Sequence, residues 1–279
     1  MANGFSETIR RVVPYRLRHF LRNGRRRLTP FEDAQVEIQQ LKDILRREHG
    51  LAVAPPKALQ VRVIGLYSPH FIESGWQTFE VFRQSLARFG CTIESCETVL
   101  DFGCGCGRVI RAFHQMSPRA RLYGTDIDRE AIQWLSENYQ QFGTFSPNGE
   151  LPPFAFGSDS FDLIYGISVF THLPETMQLA WLEELRRVSK PGAFVLTTTY
   201  DQNRHSVLNA SNREVFASTG FCYIQENVST TEGLPAFYQT AFHSHDYIRR
   251  VWGKFFEVVH IEALGMDGHS DLVILRKRI

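Results

Sequence analysis

The chain has 279 residues, of which 43% are hydrophobic and 22% charged, and its formal net charge is +1. This composition is that of an ordinary globular protein, and it excludes a disordered or fibrous chain and a uniformly cationic nucleic-acid-binding protein. The five cysteines do not suggest a disulfide framework, and no apolar run approaches the ~18 residues of a membrane span. We find no secretory signal pattern at the N-terminus and expect a cytoplasmic protein.

The N-terminal segment, residues 1–28, is strongly basic. Residues 1–30 contain eight arginines and one acid, Glu7, so that they carry +7 and the remaining 249 residues carry −6. Apolar residues alternate with the arginines, as in an amphipathic helix that contacts an anionic membrane surface or an acidic glycan, although Pro14 interrupts the pattern. A solvated tail, or a cap whose arginines pair with the acidic remainder, is the alternative. Peripheral membrane contact is therefore one of two interpretations of this segment.

A helix is predicted directly after the basic segment. Thr29-Pro30-Phe31-Glu32 is a capping box with proline at the first helical position, and apolar residues at helical spacing continue to Gly50. The prolines of Ala54-Pro55-Pro56 then form a stiff connector. We divide the chain into residues 1–60, a basic segment with an accessory helix, and residues 61–279, the main domain.

A glycine-rich turn follows the β-branched run that begins at Thr98. A second helix is expected before it, near Gln77–Phe89, and a third after it, from Arg108. The turn has the spacing G-x-G-x-G, which differs from the G-x-G-x-x-G of dinucleotide sites and from the P-loop. Strand, glycine turn and helix together predict a site where the backbone and a helix N-terminus approach a ligand.

Further strands and helices alternate after this turn. The second strand ends in an acid, Asp126, which in this position can accept hydrogen bonds from both ribose hydroxyls. This alternation predicts an α/β protein with a doubly wound sheet. The remaining predicted elements are a helix at Arg129–Gln141, a turn at Ser146–Gly149, a buried strand at Phe161–Ser168, a helix from Thr171 that ends at Lys190-Pro191-Gly192, and a strand at Ala193–Thr199.

Four ordered segments resemble the successive motifs of class I S-adenosylmethionine-dependent methyltransferases. This resemblance implies a Rossmann-like, seven-stranded, mostly parallel sheet with an antiparallel last strand, here with an N-terminal helical extension. It also implies S-adenosylmethionine as the methyl donor. The segments that carry the resemblance are Val99–Gly107, Tyr123–Asp128, Phe161–Leu173 and Leu185–Thr199, and the final hairpin is expected at Lys254–Ala263 and Ser270–Arg278.

The resemblance also implies roles for individual residues in donor binding. Asp101 would contact the amino group of the donor, Asp126 would hold the ribose, and Asn148 would lie near the adenine. The implied donor-binding set is Asp101, Gly103, Gly105, Gly107, Asp126, Ile127, Asn148 and Ile167.

The acceptor side offers weaker signals. His172 follows the fourth predicted strand and is our candidate general base, although a histidine bonded to backbone at a helix start is the alternative. Tyr67, Trp76, Tyr238 and His243 are candidate substrate-binding residues, with core packing as the alternative for the first two. We expect no metal site, because His243-Ser244-His245-Asp246 lacks a third ligand cluster and Cys91 and Cys96 are not spaced as a zinc pair.

These observations predict a methyltransferase that acts on a small-molecule, sugar or lipid-linked acceptor, preferentially at oxygen. Residues 203–250 match no general motif and are expected to form the substrate-side insertion. We expect no nucleic-acid partner, because the main domain is acidic and Ile167–Phe170 stands where an Asn-Pro-Pro-Tyr-type element would follow the fourth strand. A donor-binding but inactive regulatory or structural protein is the alternative. The sequence does not indicate an oligomeric state.

Overall fold

The computed structural model describes residues 53–200, 208–225, 234–266 and 268–279. The basic segment and the helix predicted at Thr29–Gly50 lie outside these residues. Ala54–Ile279 forms a compact unit. Helix α1 extends across the boundary that was predicted between residues 60 and 61. The connecting prolines, Pro55 and Pro56, precede this helix, so the whole helix belongs to this unit.

The described helices and strands alternate through the first two thirds of the unit. The helices are α1 (Lys57–Ile64), α2 (Phe71–Ala87), α3 (Ile110–Met116), α4 (Arg129–Asn138), α5 (Glu175–Val188), α6 (Ala210–Thr219) and α7 (His245–Val251), with 3₁₀ turns at Ile93–Ser95 and Trp252–Lys254. The strands are β1 (Thr98–Phe102), β2 (Arg121–Asp126), β3 (Thr144–Pro147), β4 (Phe161–Gly166), β5 (Ser189–Thr199), β6 (Phe221–Ile224), β7 (Thr240–His243), β8 (Glu257–Met266) and β9 (Ser270–Arg276).

The main sheet has seven strands in the order β3-β2-β1-β4-β5-β9-β8. Strands β1 to β5 pair in parallel, whereas β9 is antiparallel to both β5 and β8. The predicted fold class, a doubly wound seven-stranded and mostly parallel sheet, is therefore confirmed. Strands β2 and β3 lie on one side of β1, whereas β4 and β5 lie on its other side, so the strand order reverses between β1 and β4. In such sheets ligands bind at this point, beside the carboxyl ends of the two strands.

Three local predictions needed correction. Strand β3 occupies part of the turn predicted at Ser146–Gly149, because this short edge strand pairs with β2 and so tolerates Pro147. Helix α5 ends at Val188, and the residues predicted to terminate it already belong to β5. Helix α2 begins at Phe71 rather than near Gln77, and Gly75 within it allows close packing: a Cβ there would lie 1.9 Å from the carbonyl oxygen of Arg108.

Both faces of the main sheet are covered by apolar layers. Leu100 and Ile164 point into a layer that contains Trp181 and Trp252, whereas Val99 and Leu163 point into the opposite layer. This alternation follows from the two-residue period of a strand. Because both faces are buried, the central strands read as continuous apolar runs in the sequence.

A second, two-stranded sheet lies within the predicted insertion, residues 203–250. Its strands β6 and β7 are antiparallel, with Phe221 opposite His243. A β-bridge between Tyr200 and Phe242 and a hydrogen bond from Ala241 N to Thr171 O (2.8 Å) attach it to the main sheet. These contacts bring residues 234–239 to the carboxyl edge of the main sheet. Across the described ranges, no helix is both long and apolar enough to cross a membrane.

Candidate functional site

A cavity with about 790 Å³ of empty space opens at the carboxyl edge of the main sheet. Its walls come from the glycine turn after β1, from the ends of β2 and β4, and from helices α1 and α5 and the segment before β7. The lining residues are Arg62, Val63, Phe102, Gly103, Gly105, Asp126, Ile127, Asp128, Asn148, Gly149, Glu150, Ile167, Ser168, Val169, Leu173, Trp181, Leu234, Phe237 and Tyr238.

The glycine turn forms the floor of this cavity and has room only for glycine. Gly103 and Gly105 have φ values of +77° and +51°. An added Cβ at Gly103 would lie 2.4 Å from Val169 Cγ2, and one at Gly105 would lie 2.4 Å from Val63 Cγ2. Gly107 is not on the cavity wall, and its missing side chain instead admits Leu135 and Tyr139 of the α4 region. Two of the three predicted glycines therefore face the cavity directly.

Asp126, at the end of β2, connects the glycine turn to helix α4. Its Oδ2 accepts a hydrogen bond from Gly105 N (2.6 Å), and its Oδ1 accepts one from Asp128 N (2.8 Å). Each carboxylate oxygen can accept more than one hydrogen bond, so both remain able to receive hydroxyl donors from a ligand. Burial raises the pKa of Asp126 to about 6.

The cavity wall beside Asp126 fits an adenosine group. Ile127 and Ile167 supply apolar surface, and the Oδ1 atom of Asn148 is buried without a hydrogen-bond partner. A buried acceptor of this kind is costly unless a ligand supplies a donor, and the exocyclic amino group of adenine is such a donor. The structure thus brings Gly103, Gly105, Asp126, Ile127, Asn148 and Ile167 of the predicted donor set to one cavity.

Asp101 lies behind the glycine turn and is not on the cavity wall. Its side chain is 4% exposed, and its Oδ2 accepts a hydrogen bond from the Tyr165 hydroxyl (2.8 Å). Burial raises the pKa of Asp101 to about 8, although the Tyr165 bond opposes this shift. The Asp101 side chain is therefore mostly protonated at neutral pH.

Helix α1 forms a wall of the cavity that the sequence did not indicate. Arg62 bonds to Asp128 (2.9 Å) and Glu130 (2.8 Å), and Val63 packs over Gly105. Asp128 also caps α4 by accepting hydrogen bonds from the backbone of that helix. The capping aspartate was a recognisable signal, but its cationic partner lies 66 residues away along the chain.

His172 lies one layer behind the cavity wall, beside Tyr238. Their rings are stacked with a centroid distance of 4.0 Å, and Tyr238 lines the cavity. The Nδ1 atom of His172 is 2.6 Å from the carbonyl oxygen of Gln239. Because a carbonyl only accepts, Nδ1 carries the proton and Nε2 carries the lone pair. Burial lowers the pKa of His172 to about 4, so the imidazole is neutral at physiological pH.

Three of the four predicted substrate-binding residues are not brought to this cavity. His243 is fully buried in the apolar layer, and its Nε2 is 2.8 Å from Gln178 Oε1. Trp76 packs edge-on against Phe79 in the opposite layer. Tyr67 lies under the ammonium group of Lys57. Only Tyr238 of the four lines the cavity.

Several apolar residues that line the cavity were not predicted from the sequence. Phe102 ends β1, Trp181 lies on α5, and Phe237 precedes β7. Phe102 and Trp181 contact each other with a ring-centroid distance of 4.8 Å. Each of these residues reads as ordinary core in the sequence, because its exposure to a cavity depends on contacts between distant segments. Among the described residues, no group of three His, Cys, Asp or Glu side chains could hold a metal ion.

Comparison with known proteins identifies the family. Residues 75–230, more than half of the chain, match the methyltransferase domain family. An uncharacterised methyltransferase of Schizosaccharomyces pombe is 25% identical over 43% of this chain and 45% of its own length. A tRNA (carboxymethyluridine(34)-5-O)-methyltransferase of Arabidopsis thaliana is 30% identical over 50% of this chain and 32% of its own length. The chain thus spans less than half the length of these two relatives.

The fold has a solved counterpart with a bound cofactor product. The magnesium protoporphyrin IX methyltransferase of Synechocystis PCC 6803, with bound SAH, superimposes with a TM-score of 0.50 over 74% of this chain and 85% of its own. At 17% identity this likeness shows the fold alone. The family match, together with a cavity that accommodates adenosine beside the glycine turn, gives S-adenosylmethionine as the cofactor. The chain therefore belongs to the methyltransferase domain family.

Proposed function

We propose that this enzyme methylates a hydroxyl oxygen of a small-molecule, sugar or lipid-linked acceptor, with His172 as the proton acceptor. S-adenosylmethionine supplies a methyl group on a sulfonium, which needs no further activation. The protein therefore has to align the acceptor oxygen with the bond that breaks, exclude water and take up the hydroxyl proton.

The observation that carries this proposal is the tautomer of His172. The hydrogen bond of Nδ1 to Gln239 O leaves the Nε2 lone pair as the proton-accepting site. The same contact fixes the orientation of the ring, as does its stacking on Tyr238. We assign Nε2 as the atom that receives the hydroxyl proton of an acceptor bound beside Tyr238 and Leu173.

The character of the cavity wall supports a neutral acceptor with an apolar or ring-shaped face. Leu173, Phe237 and Tyr238 contribute apolar and aromatic surface on the side of His172. Aromatic side chains bind such faces through their large contact area. Among the described lining residues, Arg62 is the single Lys or Arg, and its charge is balanced by Asp128 and Glu130.

Donor-dependent methyl transfer tests the proposal when it is screened over hydroxylated sugars, hydroxy acids and lipids. With an acceptor in hand, His172→Gln should lower kcat by about 10²- to 10⁴-fold while leaving donor affinity unchanged. His269→Gln, in the exposed β8–β9 turn, is the matched control and should keep full activity. Full activity of His172→Gln would remove the histidine from the chemistry. A protein that binds the donor and methylates nothing in the screen would favour the inactive, regulatory alternative.

A second candidate acceptor is a tRNA nucleotide. The 30% identity to the Arabidopsis tRNA methyltransferase favours it. Incubation of unmodified tRNA with labelled donor separates the two candidates, because only a nucleic-acid enzyme transfers label to tRNA. We favour the smaller acceptor because the described cavity wall offers no unpaired cation for a phosphate.

A further inference from the structure

A second, polar pocket lies at the opposite edge of the main sheet from the donor cavity. It holds about 740 Å³ of empty space. Asp162 and Lys190, each the second residue of its strand, mark its position at the amino ends of β4 and β5. Cys91 and Cys96 also line it. The methyl-transfer chemistry described above uses none of these groups.

The turn between α2 and β1 brings the two cysteines together. Gly90 has a φ of +75° and ends the helix, after which Cys91 N bonds to Leu86 O (3.1 Å). The 3₁₀ turn Ile93–Ser95 then folds the chain back, and Cys96 N bonds to Ile93 O (3.0 Å). The result is a six-residue loop whose two cysteines line the same pocket, and Cys96 Sγ donates a hydrogen bond to Thr92 O (3.9 Å).

The two thiols differ in their surroundings. Cys91 is partly exposed in the pocket, whereas Cys96 is 8% exposed and belongs to the apolar layer behind it. The neighbouring Cys96 thiol and the positive charge of Arg276 hold the pKa of the Cys91 thiol below its ordinary value, although burial opposes this shift. The neighbouring Cys91 thiol and burial raise the pKa of Cys96. Because Cys91 is the more exposed of the two thiols, we assign it as the nucleophile and Cys96 as the thiol that closes the disulfide.

We propose that Cys91 and Cys96 form a redox-active dithiol that reacts with hydrogen peroxide and closes to a reversible disulfide. In the first step the Cys91 thiolate attacks one peroxide oxygen and the O–O bond breaks, which gives a sulfenic acid and hydroxide. In the second step the Cys96 sulfur attacks the sulfenic sulfur, the S–O bond breaks and water leaves. The balance is two thiols and one peroxide giving one disulfide and two water molecules.

The other three cysteines lack this arrangement. Cys104 and Cys106 lie in the glycine turn of the donor cavity, and Cys222 lies on β6. All three are buried, and burial raises the pKa of each thiol. They should therefore react with peroxide much more slowly than Cys91.

Peptide mapping of the full chain tests the proposal. The reduced protein is exposed to equimolar hydrogen peroxide, its free thiols are alkylated, and the chain is cleaved after glutamate. Cleavage after Glu94 and Glu97 separates Cys91, Cys96 and the glycine-turn cysteines into different peptides. We expect the Cys91 and Cys96 peptides to remain joined with a mass loss of 2 Da, since two hydrogens leave, and dithiothreitol to release them.

Variants assign the two roles. In Cys96→Ser the reaction should stop at a Cys91 sulfenic acid that dimedone traps, and Cys91→Ser should slow thiol loss at least about tenfold. Cys222→Ser is the matched control and should leave disulfide formation unchanged. Thermal unfolding of each variant confirms that it is folded. Peptides that are never joined, with Cys91 oxidised no faster than Cys222, would overturn the proposal. So would a wild-type Cys91 that proceeds to sulfinic acid as fast as in Cys96→Ser.

Discussion

The donor side and the acceptor side of the cavity are built in different ways. The donor side consists of short segments that each follow a strand of the main sheet, and we assign its ligand contacts to the backbone at Gly103 and Gly105 and to one carboxylate, Asp126. The acceptor side is assembled from α5 and the segment before β7, which meet only through tertiary contacts. The donor side is thus determined by local sequence, and the acceptor side by the packing of the insertion.

The sharpest test of this division is the carboxylate of Asp126. Asp126→Ala removes an acceptor for two ribose hydroxyls and should cost about 2–4 kcal/mol of donor binding, or about 30- to 900-fold in Kd. Calorimetry with the donor measures this loss. Asp128→Asn is a useful comparison, because it alters the neighbouring cap without removing the Asp126 carboxylate. Unchanged donor affinity in Asp126→Ala would contradict the ribose assignment.

Because Asp126 titrates, we also expect donor binding to depend on pH. The pKa of Asp126 is raised to about 6, so its carboxylate is fully present above that value and is lost as the pH falls through it. The contribution of Asp126 to donor affinity should therefore be lost as the pH falls below about 6. The neutral imidazole of His172 persists down to about pH 4, and its loss should affect turnover only in that lower range. Two separate pH profiles, for donor Kd and for kcat, check the distinction.

A smaller effect is expected from Gly105→Ala. The substitution places a Cβ at a φ of +51° and within 2.4 Å of Val63. If the cavity floor shifts to relieve backbone strain of about 1–3 kcal/mol and binding has to reverse that shift, donor affinity falls by about 5- to 150-fold. Gly268→Ala is the matched control, because Gly268 also has a positive φ (+68°) but no neighbour within 4 Å of an added Cβ. Equal effects of the two variants on donor binding would show that strain alone, and not the cavity floor, is responsible.

The smallest expected effect on donor binding concerns residues 1–28. We propose that this +7 region mediates location or partner binding, so its deletion should leave donor affinity unchanged. The full chain should bind anionic vesicles. Raising the salt concentration should release it, because the attraction between exposed charges is screened beyond ~8 Å at physiological ionic strength. A folded truncated protein that no longer binds donor would instead assign these residues to the active site. Vesicle binding that is equal with and without the segment would favour the solvated-tail interpretation.

The accuracy of the sequence predictions follows the same division. The fold class was predictable because β1 and β4 are apolar runs followed by recognisable turns and β2 ends in an acid, Asp126. Strand β3 was missed because its hydrogen bonds to β2 outweigh the local turn signal around Pro147. His243 was a reasonable candidate by its position in the chain. The register of β7 decides whether the His243 side chain faces the apolar layer or the cavity, and no sequence pattern indicates that register. The donor and acceptor assignments remain predictions for the variants above to test.

The pairing of Asp101 with Tyr165 has a thermodynamic consequence. A carboxyl group with a pKa of about 8 holds its proton at neutral pH. The ammonium group of a bound ligand near Asp101 would favour the ionised form, so the proton would leave as the ligand arrives. The heat of binding would then include the protonation enthalpy of the buffer. Titrations of the same ligand in phosphate and in Tris should therefore differ in apparent enthalpy while agreeing in Kd, and Asp101→Asn should reduce that difference.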